Sequence, residues 1–239
     1  MDPVDKDNIE RRYRERIREV GHTPAALGEP KGRQAFYFNF LLKFDGLQPN
    51  DSIVDIGCGY GDLFGYLRST GWQGDYLGID IVPALIEEGR RRYPDAALRV
   101  QDIQEEPIGR QFDWSICCHA LTSNTHSVPF LHHAEEMLHI MWAACRKGLI
   151  FNMLSPLAEY TNPIHARPPL SDVLTIVSSL TRRFAVRHDY MPFEYAVYAY
   201  KDEAIDRSLL IFEQQRPTFD RVTATWQPAE RRDAEKAGS

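Results

Sequence analysis

Ile9, Tyr13, Ile17 and Val20 recur every three to four residues through a stretch otherwise dense in charge. That spacing predicts an amphipathic helix over Asp7 to Val20. GHTPAALGEPKG follows, and its glycines and prolines predict a loop. Gln34 to Phe44 reads as an aromatic-rich helix ending near Asp45-Gly46. From residue 52 the pattern changes to short apolar runs separated by helical stretches. SIVDI is followed by a helix over Asp62 to Ser69, then by DYLGID. Pro83 suits the first turn of the next helix, and ALRVQD and FDWSICCHA follow as strands. A long helix is expected from Pro129 to about Arg146, then the strand GLIFNML and a helix from Leu170 to Leu180. FAVRHDY and EYAVYAY are separated only by MPF, too short for a helical crossover, so they predict an antiparallel hairpin. One more helix is expected around Ala204 to Gln214, before a loose polar tail, QPAERRDAEKAGS.

Strands alternating with helices predict an α/β fold: a doubly wound, mostly parallel seven-stranded sheet with an antiparallel C-terminal hairpin. The expected division is an N-terminal helical cap over 1–48, the α/β domain over 49–201, and a C-terminal helix with its tail over 202–239. The chain has 239 residues, 43% hydrophobic and 26% charged, which fits one such domain with additions. Its net charge of -6 lacks the basic footprint of a phosphate-backbone binder, which counts against a nucleic-acid partner. No apolar run approaches the ~20 residues that span a bilayer, and MDPVDKDNIE has no secretory apolar region. Cys58, Cys117, Cys118 and Cys145 form no C-x-x-C pair, which suits a reducing cytoplasm. His132, His133 and His139 should share a helix, but no histidine–carboxylate set has metal-ligand spacing, so no metal is expected. Arg11, Arg12, Arg14, Arg16 and Arg18 alternate with Glu10, Glu15 and Glu19 and read as a solvated face.

The most informative segment is VDIGCGYGDL, which runs from a predicted strand into a predicted helix. Its glycines permit positive φ and close approach of a ligand to the backbone. The pattern is G-x-G-x-G, whereas dinucleotide sites carry G-x-G-x-x-G, which counts against a nicotinamide-dependent oxidoreductase. Asp55 at the strand end would repel a pyrophosphate but suits a ligand with an ammonium group. Asp80 ends the second strand, where an acid accepts hydrogen bonds from ribose hydroxyls. Asp102 follows at the end of the third strand, placed for an adenine amino group. All three acids fall at strand C-termini, where open α/β sheets bind ligands.

These residues resemble the class I S-adenosylmethionine (SAM) dependent methyltransferase superfamily over roughly residues 50 to 200, with VDIGCGYG, GID and QDI standing as its first three motifs. The resemblance implies a Rossmann-like methyltransferase fold and SAM as cofactor. It implies that Asp55, Gly57, Cys58 and Gly59 hold the methionine part and Asp80 the ribose. Ile81 and Ile103 would sandwich the adenine, Asp102 would bind its amino group, and Cys118 and His119 would lie beside SAM. The segments FNMLSP and RHDYMPFEYAVYAYK resemble a group of small bacterial methyltransferases whose acceptors are often unassigned.

The acceptor site is expected where CCHALTSNTH, NMLSPLAEY and RHDYMPFEY leave the sheet. The superfamily's nucleic-acid amino methyltransferases carry a motif like [DNS]-P-P-[YFW] after the fourth strand. Cys118-His119-Ala120-Leu121 stands there instead, which disfavours that chemistry. His119 and His188 are the leading candidates for a general base, with His126 behind them. Tyr190, Phe193 and Tyr195 form either an aromatic wall for a cationic amine or simply a packed hairpin. Asn152, together with Tyr13, Arg33 and Gln34 from the cap, completes the candidate acceptor residues. The function expected is methylation of a small molecule, with nitrogen slightly favoured over oxygen. An RNA or protein methyltransferase and a non-catalytic SAM-binding module are the alternatives. The aromatic-rich N-terminal half also offers a homodimer contact.

Overall fold

A computed structural model describes residues 1–29, 31–44, 46–159 and 162–226. Short apolar segments form the sheet: β1 (Ile53–Ile56), β2 (Tyr76–Asp80), β3 (Ala97–Val100), β4 (Phe112–Cys117), β5 (Cys145–Leu154), β6 (Phe184–Arg187) and β7 (Glu194–Tyr200). Their order is β3-β2-β1-β4-β5-β7-β6, and only β7 runs antiparallel to its neighbours. This is the expected seven-stranded, mostly parallel sheet with its closing hairpin. The order reverses between β1 and β4, and a crevice at such a point is where open α/β sheets take ligands.

β1 and β2 are buried on both sides because helices cover both faces of the sheet. Val54, Leu149 and Phe151 pack with Met137, Leu138 and Met141 of α5 (Phe130–Ala143) and Val173 of α6 (Leu170–Leu180). Their strand neighbours Ile53 and Ile150 face the other way, onto α2 (Gln34–Leu41) and α3 (Asp62–Ser69). Each fully buried Leu, Ile or Phe contributes about 1.5–3 kcal/mol relative to exposure, so the alternation fixes which face each helix takes. On the N-terminal side, α1 (Pro3–Val20) begins at Pro3, with the Asp2 carboxylate accepting from the Val4 N–H at 2.8 Å. Its Ile9, Tyr13 and Ile17 pack on Tyr60, Val82 and Leu85, the last in α4 (Pro83–Arg92).

Several boundaries differ from expectation. α2 stops at Leu41 rather than Phe44. α5 stops at Ala143 rather than Arg146, because Cys145 already pairs with Phe112 and Arg146 is drawn to Asp113. The larger correction concerns Ala204 to Gln214, expected to be helical. Two short strands, β8 (Ile205–Asp206) and β9 (Ile211–Phe212), pair there, and the helix α7 comes later, at Arg216–Thr225. The cause is turn chemistry: Asp206 Oδ1 accepts from the N–H groups of Ser208 and Leu209, and Leu210 adopts a left-handed φ of 56°. The described residues up to Lys201 form one compact unit, and the described residues from Asp202 to Trp226 belong to another. The polar tail from Gln227 lies outside the described residues.

Candidate active site

The glycine loop leaves β1 with Gly57, Gly59 and Gly61 at φ of 72°, 57° and 77°. The N–H groups of Gly57 and Cys58 both donate to the carbonyl of Ile79, which ties the loop to β2. A Cβ on Gly57 would lie 2.1 Å from the Ala120 Cβ, so only glycine fits. Gly57→Ala therefore combines positive-φ strain with overpacking. It is expected to cost about 2–5 kcal/mol in urea unfolding and to impair ligand binding. A loss under about 0.5 kcal/mol would contradict this reading of the loop.

One cavity gathers Asp55, Gly57, Cys58, Gly59, Asp80, Ile81, Asp102, Ile103 and Cys118, together with His119 and Tyr13. The Asp80 carboxylate accepts from the Gly59 N–H on one oxygen and from the Val82 N–H on the other, each at 2.9 Å. Asp102 Oδ2 accepts from the Met1 nitrogen at 2.8 Å, and its Oδ1 from the Gln104 N–H. Asp55 accepts from the Tyr76 hydroxyl at 2.6 Å. Burial pushes the Asp55 carboxyl up to about 7; the Tyr76 hydrogen bond opposes this, while Asp80 and Asp62 add to it. Asp55 is thus a buried acid with no cation beside it among the described residues.

His119 sits just past β4 at a φ of 63°, a costly conformation for a non-glycine residue. Its N–H donates to Asn152 Oδ1 at 2.7 Å, and its carbonyl accepts from the Thr122 hydroxyl at 2.8 Å. The ring Nε2 lies 2.6 Å from Glu194 Oε2, and the ring stands edge-on to Tyr37. Asn152 Nδ2 donates to the other Glu194 oxygen at 3.3 Å. Glu194 is fully buried, whereas a quarter of the His119 side chain stays accessible. Nδ1 of His119 has no hydrogen-bond partner among the described residues. Burial works to lower the His119 pKa, but the charge and hydrogen bond of Glu194 outweigh it and the net shift is upward. Glu194 is likewise opposed by burial, yet His119 holds it below the usual carboxylate range.

Other candidate residues are placed differently. His188 does not line the cavity; its ring stacks on Tyr195 at 6.4 Å. Tyr195 is core, with its hydroxyl toward the Met153 sulfur. Tyr190 stacks on Phe40 and points its buried hydroxyl toward Glu194 without a well-aligned bond. Phe193 lies under the Arg33 guanidinium. The aromatic exit is therefore a packed hairpin rather than a cavity wall, and Asn152 serves His119 and Glu194 from within β5. Gln34 lines the cavity, and Arg12 turns into it instead of joining the solvated face. Glu194, Tyr37 and Arg12 are the site residues that the sequence did not single out.

A family model described as a methyltransferase domain matches residues 53–147. The "putative methyltransferase" of Mycobacterium tuberculosis is 30% identical over 158 residues, 63% of this chain and 93% of that protein. A dTDP-3-amino-3,4,6-trideoxy-alpha-D-glucopyranose N,N-dimethyltransferase of Streptomyces venezuelae is 29% identical over 86 residues, 36% of this chain and 33% of its own length. Magnesium protoporphyrin IX methyltransferase from Synechocystis PCC 6803, solved with bound SAM, shares the fold with a TM-score of 0.61 at 17% identity, covering 82% of this chain and 96% of that one. With the glycine loop and the three strand-end acids gathered in one cavity, the chain belongs to the class I SAM-dependent methyltransferases.

Proposed function

We propose that this enzyme methylates a small-molecule acceptor, with His119 as general base. The observation that carries the proposal is the His119–Glu194 contact beside the donor cavity. The donor side fits SAM. Asp80 and Asp102 offer carboxylate oxygens for ribose hydroxyls and an adenine amine. Ile81 and Ile103 supply apolar flanks for the adenine. Asp55, lacking a cation, suits the methionine ammonium. Bound SAM supplies a methyl group already activated by its sulfonium, so the protein's task is positioning and proton removal.

Glu194 accepts the proton on Nε2 of His119 in a hydrogen bond, leaving Nδ1 as the open acceptor. Nδ1 would take up a proton from the acceptor's nucleophilic atom; a nitrogen arriving as an ammonium gives that proton up first, which frees the lone pair for the methyl group that SAM would supply. The carboxyl groups of the wall, with Glu29 offset in part by Arg33 at 3.5 Å, favour an acceptor nitrogen that arrives as an ammonium, ahead of an oxygen. The acidic net charge supports a small acceptor over RNA. No helix among the described residues is long and apolar enough to cross a membrane, and the four cysteines are free thiols, in keeping with a reducing, cytoplasmic setting. The test is methyl transfer from labelled SAM to a metabolite extract. A labelled small product supports the proposal. Label in RNA or protein overturns the acceptor class, and no label despite tight SAM binding favours a non-catalytic module.

The Asp55 assignment makes binding depend on pH. Below about 7 the empty site holds Asp55 protonated, and a ligand ammonium then meets no charge. Affinity for S-adenosylhomocysteine is expected to rise roughly tenfold per pH unit up to about pH 7 and then level. Asp55→Asn should flatten the profile in calorimetric titrations. A wild-type affinity that does not vary with pH would remove Asp55 from the ammonium site.

A further inference from the structure

In the arginine run of α1, Arg11 bonds Asn8 and Arg14 lies near Glu10, both on the outer surface. Arg12 differs. Its side chain lines the donor cavity, its Nη2 donates to Ser123 Oγ at 2.9 Å, and its buried Nε has no partner. No carboxylate pairs with it among the described residues, and burial works to lower its pKa. The guanidinium lies over the Tyr13 ring at 5.4 Å, but a cation in a cavity wall without a carboxylate partner is costly unless a ligand anion completes it.

The rest of the wall identifies the anion. Glu29, Asp55, Asp62, Asp80 and Asp102 all bring carboxyl groups to the cavity, which would repel an anionic ligand group over most of its surface. The other basic groups are engaged or neutral. The Met1 nitrogen is on Asp102, His119 is on Glu194, and burial lowers the pKa of His133. Among the described cations of the wall, Arg12 is the guanidinium without a carboxylate partner, whereas the Met1 nitrogen lies at Asp102, the end assigned to the adenine. SAM carries one carboxylate, on the same carbon as the ammonium assigned to Asp55.

We propose that Arg12, held in place by Ser123, binds the methionine carboxylate of SAM. The inference rests on the reading that Asp80 and Asp102 hold the nucleoside and Asp55 the ammonium. It makes α1 part of the donor site. Ser123 belongs to the loop after β4, so the contact ties helix, loop and cofactor together.

The test compares S-adenosylhomocysteine with 5′-methylthioadenosine, which keeps the adenine and ribose but lacks the amino-acid carboxylate, by calorimetry on the full chain. Arg12→Met is expected to weaken S-adenosylhomocysteine about 10- to 100-fold and to change methylthioadenosine less than about twofold. Arg12→Lys should recover part of the loss, and Ser123→Ala should show the same ligand selectivity at about 2- to 10-fold. An unchanged affinity for S-adenosylhomocysteine overturns the proposal, as does an equal loss for both ligands. Should Arg12→Met fail to fold, Arg12→Lys and Ser123→Ala decide by the same criterion. Retained methylthioadenosine binding leaves the nucleoside reading standing when the carboxylate assignment falls. A wild-type protein that binds neither ligand ends both.

Discussion

His119→Ala is expected to lower kcat by about 10²–10⁴-fold, the usual range for removing a general base, while leaving affinity for S-adenosylhomocysteine close to wild type. Glu194→Gln should cost less in rate, about 10- to 100-fold, because the imidazole remains and loses only its orienting charge. The two variants separate further by pH. His119 accepts a proton only in its neutral form, so wild-type turnover rises as pH climbs through its pKa. Glu194 raises that pKa against the opposing effect of burial. Replacing the carboxylate by an amide removes the larger opposition to burial and leaves only the weaker effect of Glu29, so the rising limb should move toward acid even as the plateau falls. A purely structural Glu194 would reduce the amount of folded enzyme without moving the limb. The measurement is kcat against pH on the acceptor found with labelled extract, with thermal unfolding of each variant alongside. Glu194→Gln with wild-type kcat and an unmoved limb would refute the dyad.

The proposed donor half of this site was legible because its signals are local. Asp55, the glycines, Asp80 and Asp102 each sit at or just past the end of a short apolar strand, and sheet topology brings those ends together without any long-range guess. The proposed acceptor half rests on a contact between His119 and Glu194, 75 residues apart in sequence. Nothing near Glu194 marks it, since it opens EYAVYAY as an ordinary strand residue. A weak signal did exist in β5, where Asn152 is a lone amide in an apolar run and so demands buried partners. The aromatic wall failed on parity. Successive residues of β7 face opposite sides, so with Glu194 turned to His119, Tyr195 turns to the core beside Met153. Arg12 follows Ile9 by three residues, which places it beside the buried stripe of α1, but alternating charges hid that position. Two-residue strands such as β8 and β9 are too short for any alternation to show.

Asp80→Ala should weaken S-adenosylhomocysteine about 10²–10⁴-fold, because hydrogen bonds to a charged acceptor are each worth about 1.5–3 kcal/mol and a ribose offers two hydroxyls. Part of any loss could arise within the empty protein, since the Asp80 carboxylate also accepts from the Gly59 and Val82 N–H groups. Alanine leaves both donors unpaired, at about 1–3 kcal/mol each where they are buried, so unfolding should shift as well. Asp80→Asn resolves the two effects. An amide keeps one acceptor oxygen for the loop but loses the charge that strengthens bonds from hydroxyls. It should retain most of the thermal stability and still bind markedly less ligand. The ligand pair adds a second discriminator. Methylthioadenosine carries the same ribose, so Asp80 variants should lose it in parallel with S-adenosylhomocysteine, whereas Arg12→Met should lose only the latter. Affinity within about twofold of wild type in Asp80→Ala would remove the ribose from this carboxylate. The strand-end acid would then be a clasp for the glycine loop and nothing more.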